Sequence, residues 1–219
     1  MALKLLLSPA LVGSATWIQQ RWGHAIGGRV IGLPLTTGPF LLIVGLQEGR
    51  EYASTAAHGV IAGQFALALF TTVYAHLVRR FPWYLSLGLA TGVQVSVTLV
   101  VSRLSVPIAL LVPAIFLIIV LALKTWPAYE ESASIEHPRW ELPARIVTAV
   151  ALIVTLSGLA SVLGPTLAGA LASYPVIISV LGAFTQKRYG PNGVLNTLRG
   201  LMQSLPVSVA ILAVIASLL

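Results

Sequence analysis

Gly32-Leu33-Pro34-Leu35-Thr36-Thr37-Gly38-Pro39 interrupts an apolar run near the start of the chain. Two prolines, two glycines and two threonines stand where a membrane-spanning helix would otherwise continue. Proline removes a backbone donor and its ring clashes with the preceding turn, so a helix must break or kink here. In lipid no water can take the freed backbone groups, and such a break persists only where it is packed in protein or lines a polar cavity. A fainter counterpart is Ala168-Gly169-Ala170-Leu171-Ala172-Ser173-Tyr174-Pro175. The pair is the expected centre of the molecule.

The residues around these breaks set the class. Of 219 residues, 57% are hydrophobic and 9% charged, and the mean hydropathy is +0.93. A soluble domain carries about 25% charged residues, so the expected class is an all-α polytopic membrane protein with no separate soluble domain. Cysteine is absent, which excludes disulfides, thiolate chemistry and cysteine metal sites. Aspartate is absent too, and Glu48, Glu51, Glu130, Glu131, Glu136 and Glu141 all stand at or beyond the ends of apolar runs. A mid-membrane carboxylate relay is therefore not expected. The net charge of +7 comes with no basic run longer than two residues, which argues against nucleic acid and for lipid-facing cytoplasmic loops. Lys4 and the apolar residues after it resemble the start of a signal peptide. Without a small-residue cleavage site, and with the same composition continuing, the stretch is expected to be the first span.

A helix crosses a bilayer in about 20 apolar residues. On that ruler about eight transmembrane helices are expected, near 2–19, 28–46, 52–78, 83–102, 105–125, 142–163, 165–186 and 193–218. Eight spans place Arg21, Arg29, Arg79, Arg80, Lys124, Arg139, Arg145, Lys187 and Arg188 on one side, and only Lys4, Arg50 and Arg103 on the other. Because cytoplasmic loops carry the Lys/Arg excess, both termini are expected outside (N-out/C-out). Trp17, Trp22, Trp83, Trp126 and Trp140 fall near the expected interfaces, where aromatic belts form.

A shift of 136 residues lays Gly28 on Gly164, Leu35 on Leu171, Pro39 on Pro175 and Val44 on Val180. A further slip of five lays Gly49 on Gly190 and Gly59 on Gly200. The two copies begin five spans apart, an odd number, so the expectation is an inverted-topology internal repeat with a site at the repeat interface. Chance alignment of two proline-containing apolar helices is the alternative. The expected organisation is a first membrane repeat of four spans over 1–104, a linker span and cytoplasmic loop over 105–141, and a second, inverted repeat of three spans over 142–219.

Ala168-Gly169 followed by Pro175, an apolar run, Gln186-Lys187-Arg188 and a long span with Pro206 resembles the GlpM-like small inner-membrane proteins of bacteria. That resemblance implies fused inverted copies of a small unit in a bacterial inner membrane. Gly38-Pro39-Phe40-Leu41-Leu42-Ile43 with Gly49-Arg50, Gly59 and Gly63 is also similar to the opening of LysE-type amino-acid exporters. Phe40 stands where that family has an acidic or amide residue, and the second half has no Asn-Pro-Lys.

Asn192, Asn196, Arg199 and Gln203 recur at i, i+4, i+7 and i+11, one face of a helix. A charge at the depth of Arg199 usually faces a cavity or a partner; the bland reading is a side chain snorkelling to the interface. His58 takes the corresponding place in the first copy, either as a second donor on a shared path or as a packed, hydrogen-bonded histidine. Thr36, Thr37 and Ser173, beside Pro39 and Pro175, could supply hydroxyls and freed backbone groups as ligands, or those hydroxyls could simply repair the break. Gln64 and Gln94 are intramembrane amides able to join helices. The pairs Gly59/Gly63 and Gly88/Gly92 form G-x-x-x-G steps suited to close helix packing. His24, His76 and His137 make no metal spacing.

An arginine and amide lining suits an anionic or zwitterionic solute. The expected function is an inner-membrane transporter or channel for a small polar solute, with its site between the two broken helices. A non-transporting accessory or structural subunit is the alternative. Neither enzymatic chemistry, nor a metal, nor a cofactor is expected. The expected partners are membrane lipid and a small solute, with self-association of copies left open.

Overall fold

The computed structural model describes residues 2–34, 37–38, 41, 46–47, 49–104, 106–130, 138, 140–162 and 174–218. These form seven helices: α1 (Ala2–Trp22), α2 (His24–Gly32), α3 (Arg50–Leu77), α4 (Trp83–Leu104), α5 (Ile108–Lys124), α6 (Glu141–Val162) and α7 (Val176–Leu218).

Apolar composition did not translate into eight crossings. Among the described residues three helices are long and apolar enough to span a membrane: Ser54–Leu77, Trp83–Leu104 and Val176–Leu218. The expected eight spans are therefore corrected. With them go the even-number argument for both termini outside and the five-span offset that inverts the second copy. The physical reason is that a run of apolar residues need not be one continuous helix. In the second expected span, α2 covers only 28–32 before Leu33 turns extended at φ −75, ψ 149, the conformation imposed on a residue that precedes proline. The fifth reaches only 17 residues in α5. The sixth opens with Glu141 and Arg145. The remaining character is plain: a mostly helical, membrane-associated chain with a few long apolar helices and a buried polar and charged core, consistent with lipid contact and a multi-pass arrangement.

The helix α7 does not run straight. At Gly190 the backbone takes φ 71, ψ −171, a conformation that a Cβ would strain. A straight helix would part Thr185 and Thr197 by about 18 Å at 1.5 Å per residue. Instead both hydroxyls meet the same Gln19 amide nitrogen, at 3.4 and 2.8 Å. The chain therefore folds back at Gly190 into an inner arm (176–189) and an outer arm (191–218). Together they contact every other described helix.

The outer arm explains that centrality. Val194, Leu195, Leu198, Leu201, Met202, Leu205, Val209 and Leu212 are buried in one stripe at helical spacing. Against it lie Ile61, Phe70 and Tyr74 of α3 and Leu111, Ile115 and Ile119 of α5. Lipid tails are as apolar as leucine, so between helices in a bilayer close approach and polar bonds matter more than apolar area. The closest approach joins α2 to the outer arm. A Cβ on Gly28 would run into the Thr197 carbonyl, one on Gly32 into the Ser204 hydroxyl and one on Gly200 into the Ala25 carbonyl. Gly28 and Gly32 are a G-x-x-x-G step that docks on small residues of α7. The steps expected to pack closely behave otherwise: a Cβ on Gly59, Gly88 or Gly92 would meet open space.

Gln186, on the inner arm, donates to the carbonyls of Val78 and Phe81 at 3.1 and 3.2 Å and so closes the end of α3. His76 meets Thr125 O at 3.2 Å. These bonds bring the end of α3, the end of α5 and the Gly190 turn to one end of the bundle, carrying Arg79, Arg80, Lys124, Lys187 and Arg188. Arg103 lies at the far end of α4.

Candidate functional site

Two polar assemblies surround the Gly190 turn. The first is buried. Glu141 and Arg145 are one helical turn apart on α6, so their side chains meet. Arg145 Nη2 donates to Glu141 Oε1 at 2.6 Å, and both side chains are essentially sealed from solvent. Arg145 Nη1 donates to Gln19 Oε1 at 2.7 Å. The same amide then donates to Thr197 and Thr185, and Thr197 passes its own hydrogen to Gly193 O at 3.1 Å. The Tyr189 hydroxyl donates to Glu141 Oε2 at 3.0 Å, and Arg188 approaches that oxygen at 3.7 Å from the partly exposed side. The Phe184 ring lies 5.7 Å from the Arg145 guanidinium carbon, within reach of a cation–π attraction. A guanidinium is not deprotonated in proteins, so Arg145 carries its charge here, balanced by Glu141. One network thus ties α1, α6 and both arms of α7 at a single point.

The second assembly is open. It follows one face of the outer arm, and three arginines reach it from different elements. Arg79, just past α3, donates through Nη2 to Ala128 O and, at 3.1 Å, to Asn192 Oδ1. Arg199 donates through Nη1 to the Tyr129 hydroxyl at 3.0 Å and lies over its ring at 5.5 Å. Arg29, on α2, donates through Nε and Nη2 to Gln203 Oε1 at 3.2 and 3.1 Å. Every one of these partners is uncharged. Among the described residues no carboxylate lies within ion-pair distance of the three arginines. Neutral acceptors orient a guanidinium without neutralising it, so the described partners of this face leave its positive charge in place. Where the face begins, Arg79, Ala128, Tyr129, Glu130, Pro191 and Asn192 line a cleft of about 580 Å³.

Comparison with protein families, with curated proteins and with solved structures finds no match for this chain. The site is therefore read from its own chemistry.

The expected site residues fall into three groups. Thr36, Pro39 and Ser173 lie outside the described residues. Asn196, Arg199 and Gln203 share the open face with Asn192, as their spacing implied. His58 does not join them: its Nε2 meets Val106 O at 2.6 Å, before the start of α5, whereas Tyr129, the partner of Arg199, lies beyond the other end of that helix. Thr37 is half-buried in the short turn that Gly38 closes onto Pro34 O at 3.0 Å. Pro175 starts a helix instead of bending one, its carbonyl accepting from the backbone and the hydroxyl of Ser179. Beside it Tyr174 shares a hydrogen bond with Thr91 at 3.1 Å.

Sequence reasoning missed the buried network. Glu141 and Arg145 stand at the edge of an apolar run and read as an end pair; their i, i+4 spacing was the available signal. Gln19 gave none, since nothing local marks it as a partner for a residue 126 positions away. Arg79 and Arg29 were read as loop charges because their neutral partners come from distant elements.

Proposed function

We propose that the chain is a transporter or channel for a small anionic or zwitterionic solute in a bacterial inner membrane. The solute passes along the outer arm of α7, beside the break that follows α2. The observation that carries this reading is the row of Arg79, Arg199 and Arg29, each held, among the described residues, by neutral acceptors only. Of the three, Arg199 lies inside a long apolar helix, where an arginine at the membrane centre costs about 2.5–3.5 kcal/mol, and a path that stabilises a passing anion offsets such a cost. The chain break at Leu33-Pro34 supports the same route, since irregular backbone at membrane depth belongs beside a cavity or inside protein. The Glu141–Arg145 network serves as the fixed point against which the arms of α7 are held.

Purified protein in liposomes tests this with a panel of small anions and amino acids, tracked by uptake. At least one is expected to enter faster than in empty liposomes. Arg199→Gln should lower that rate at least tenfold while leaving the melting temperature of the protein unchanged. Flux that is indifferent to Arg199→Gln removes the row from the path. A protein that moves no solute, yet needs a second membrane protein for stability, replaces this reading with that of an accessory subunit.

A further inference from the structure

The cleft at the Gly190 turn has a donor set that its own protein partners leave incomplete. Arg79 uses Nη2 on Ala128 O and Asn192 Oδ1, which leaves the hydrogens on Nε and Nη1. Asn192 accepts that bond through its oxygen, so the two hydrogens of its nitrogen remain. The Tyr129 oxygen accepts from Arg199, so its own hydrogen is available as well. Asn192 and Tyr129 each have the acceptor atom turned to the protein, Arg79 has none, and among the described residues no acceptor takes the donors that are left. All three residues line the same cleft.

We propose that this cleft binds a tetrahedral oxyanion of the phosphate class. Three donors from three separate elements match an acceptor with three or more oxygens, as a phosphate has, better than a planar carboxylate with two. Arg79 supplies the charge-assisted bonds, which are the strong ones. Arg199 is a positioning residue: it fixes the Tyr129 hydroxyl so that the hydrogen must point elsewhere, and it adds positive charge behind the ring. Among the described residues Glu130 is the one acid in the lining, and its charge opposes that of a bound anion. The phosphate could belong to a soluble solute or to a lipid headgroup, because the cleft lies at the basic end of the bundle, where anionic headgroups collect. The inference rests on the transport reading only in making the cleft the mouth of that path.

Equilibrium binding of inorganic phosphate is measured by calorimetry on the full chain in phosphatidylcholine nanodiscs, with acetate and chloride as controls. Phosphate should bind and both controls should bind at least tenfold more weakly. Loss of a hydrogen bond to a charged group should weaken phosphate roughly 10- to 100-fold in Arg79→Gln and in Tyr129→Phe. The second variant keeps the aromatic ring, so circular dichroism should show an unchanged fold. In discs containing phosphatidylglycerol, a fall in phosphate affinity, together with a retained phosphatidylglycerol that native mass spectrometry finds lost in Arg79→Gln, identifies the headgroup as the source. Equal affinity in both discs identifies a soluble phosphate. The proposal is overturned by acetate binding as tightly as phosphate, by wild-type affinity in both variants, or by no phosphate binding and no Arg79-dependent lipid. A protein that binds phosphate yet moves no solute fails the transport reading alone. One that moves solute but binds no oxyanion fails this one alone.

Discussion

Glu141→Ala is the most direct probe of how the helices are held. The substitution removes the acceptor of Arg145 at 2.6 Å and of Tyr189 at 3.0 Å. Arg145 is then a buried charge with only the neutral Gln19 and Thr185 left as partners. Removing one member of a buried pair costs about 3–5 kcal/mol. The lost hydrogen bond from the Tyr189 hydroxyl to a charged acceptor costs about 1.5–3 kcal/mol more. The two losses share one carboxylate and will not add fully, so a total of about 4–6 kcal/mol is expected. For a chain of this size each kcal/mol shifts the melting temperature by about 2–4 °C, which gives a drop of roughly 8–24 °C. The assay is thermal melting in a fixed detergent, followed by far-ultraviolet circular dichroism. Combining Glu141→Leu with Arg145→Met removes both charges at once and should cost less than Glu141→Ala alone, about 2–4 kcal/mol for the hydrogen bonds that Gln19 and Tyr189 lose. Arg188 is 36% exposed and stands 3.7 Å from the carboxylate, so Arg188→Ala should cost under about 1 kcal/mol. A double variant that loses the sum of its two single variants would refute the pairing, as would a Glu141→Ala protein that melts with the wild type.

Glycine substitutions separate close approach from mere small size. Gly28→Ala meets a backbone carbonyl, which cannot move aside cheaply, and should destabilise by about 1–3 kcal/mol; Gly88→Ala faces open space and should change stability by less than about 0.5 kcal/mol. Equal melting temperatures for the two variants would show that α2 does not depend on its glycines. Gly190→Ala tests the turn itself. Nothing lies within 4 Å of the added Cβ, so the expected loss of about 1–2 kcal/mol comes from backbone strain at φ 71 alone, and a melting curve identical to wild type would contradict the left-handed turn.

What the sequence made legible was what depends on composition and on local geometry. Low charge and high hydropathy pointed to membrane. Proline at 34 marked where a helix stops, because the steric rule acts on the residue just before it. The spacing of Asn192, Asn196, Arg199 and Gln203 put them on one face, because 3.6-residue geometry acts within one helix. The span count failed because hydropathy counts apolar residues and not unbroken helix: the run over 28–46 was read as one crossing although α2 ends at Gly32, and so was the run that holds the 17 residues of α5. The G-x-x-x-G steps show why spacing alone underdetermines packing. Gly28/Gly32 and Gly88/Gly92 have the same form, yet only the former meets a backbone, since the pattern specifies a smooth face and not what lies across from it. The Glu141–Arg145–Gln19 network needed three elements brought together by tertiary structure. The neutral partners that hold Arg79, Arg199 and Arg29 likewise became identifiable only once α2, α7 and the 126–130 segment were placed side by side.

The position of α7 in the chain has a consequence for how the protein is made. Every other described helix touches α7, and α7 follows all of them in the sequence. Helices α1 to α6 therefore leave the ribosome before the surface they pack on exists. At roughly 5–20 residues per second, translating the 43 residues of α7 occupies several seconds. During that interval the glycine face of α2 lacks the surface it packs on, and Glu141 and Arg145 have each other and Gln19 but not Tyr189 or Thr185. A ribosome halted before Val176 would leave the preceding helices without their common partner, and quality-control proteases would meet that chain as an assembly missing its centre.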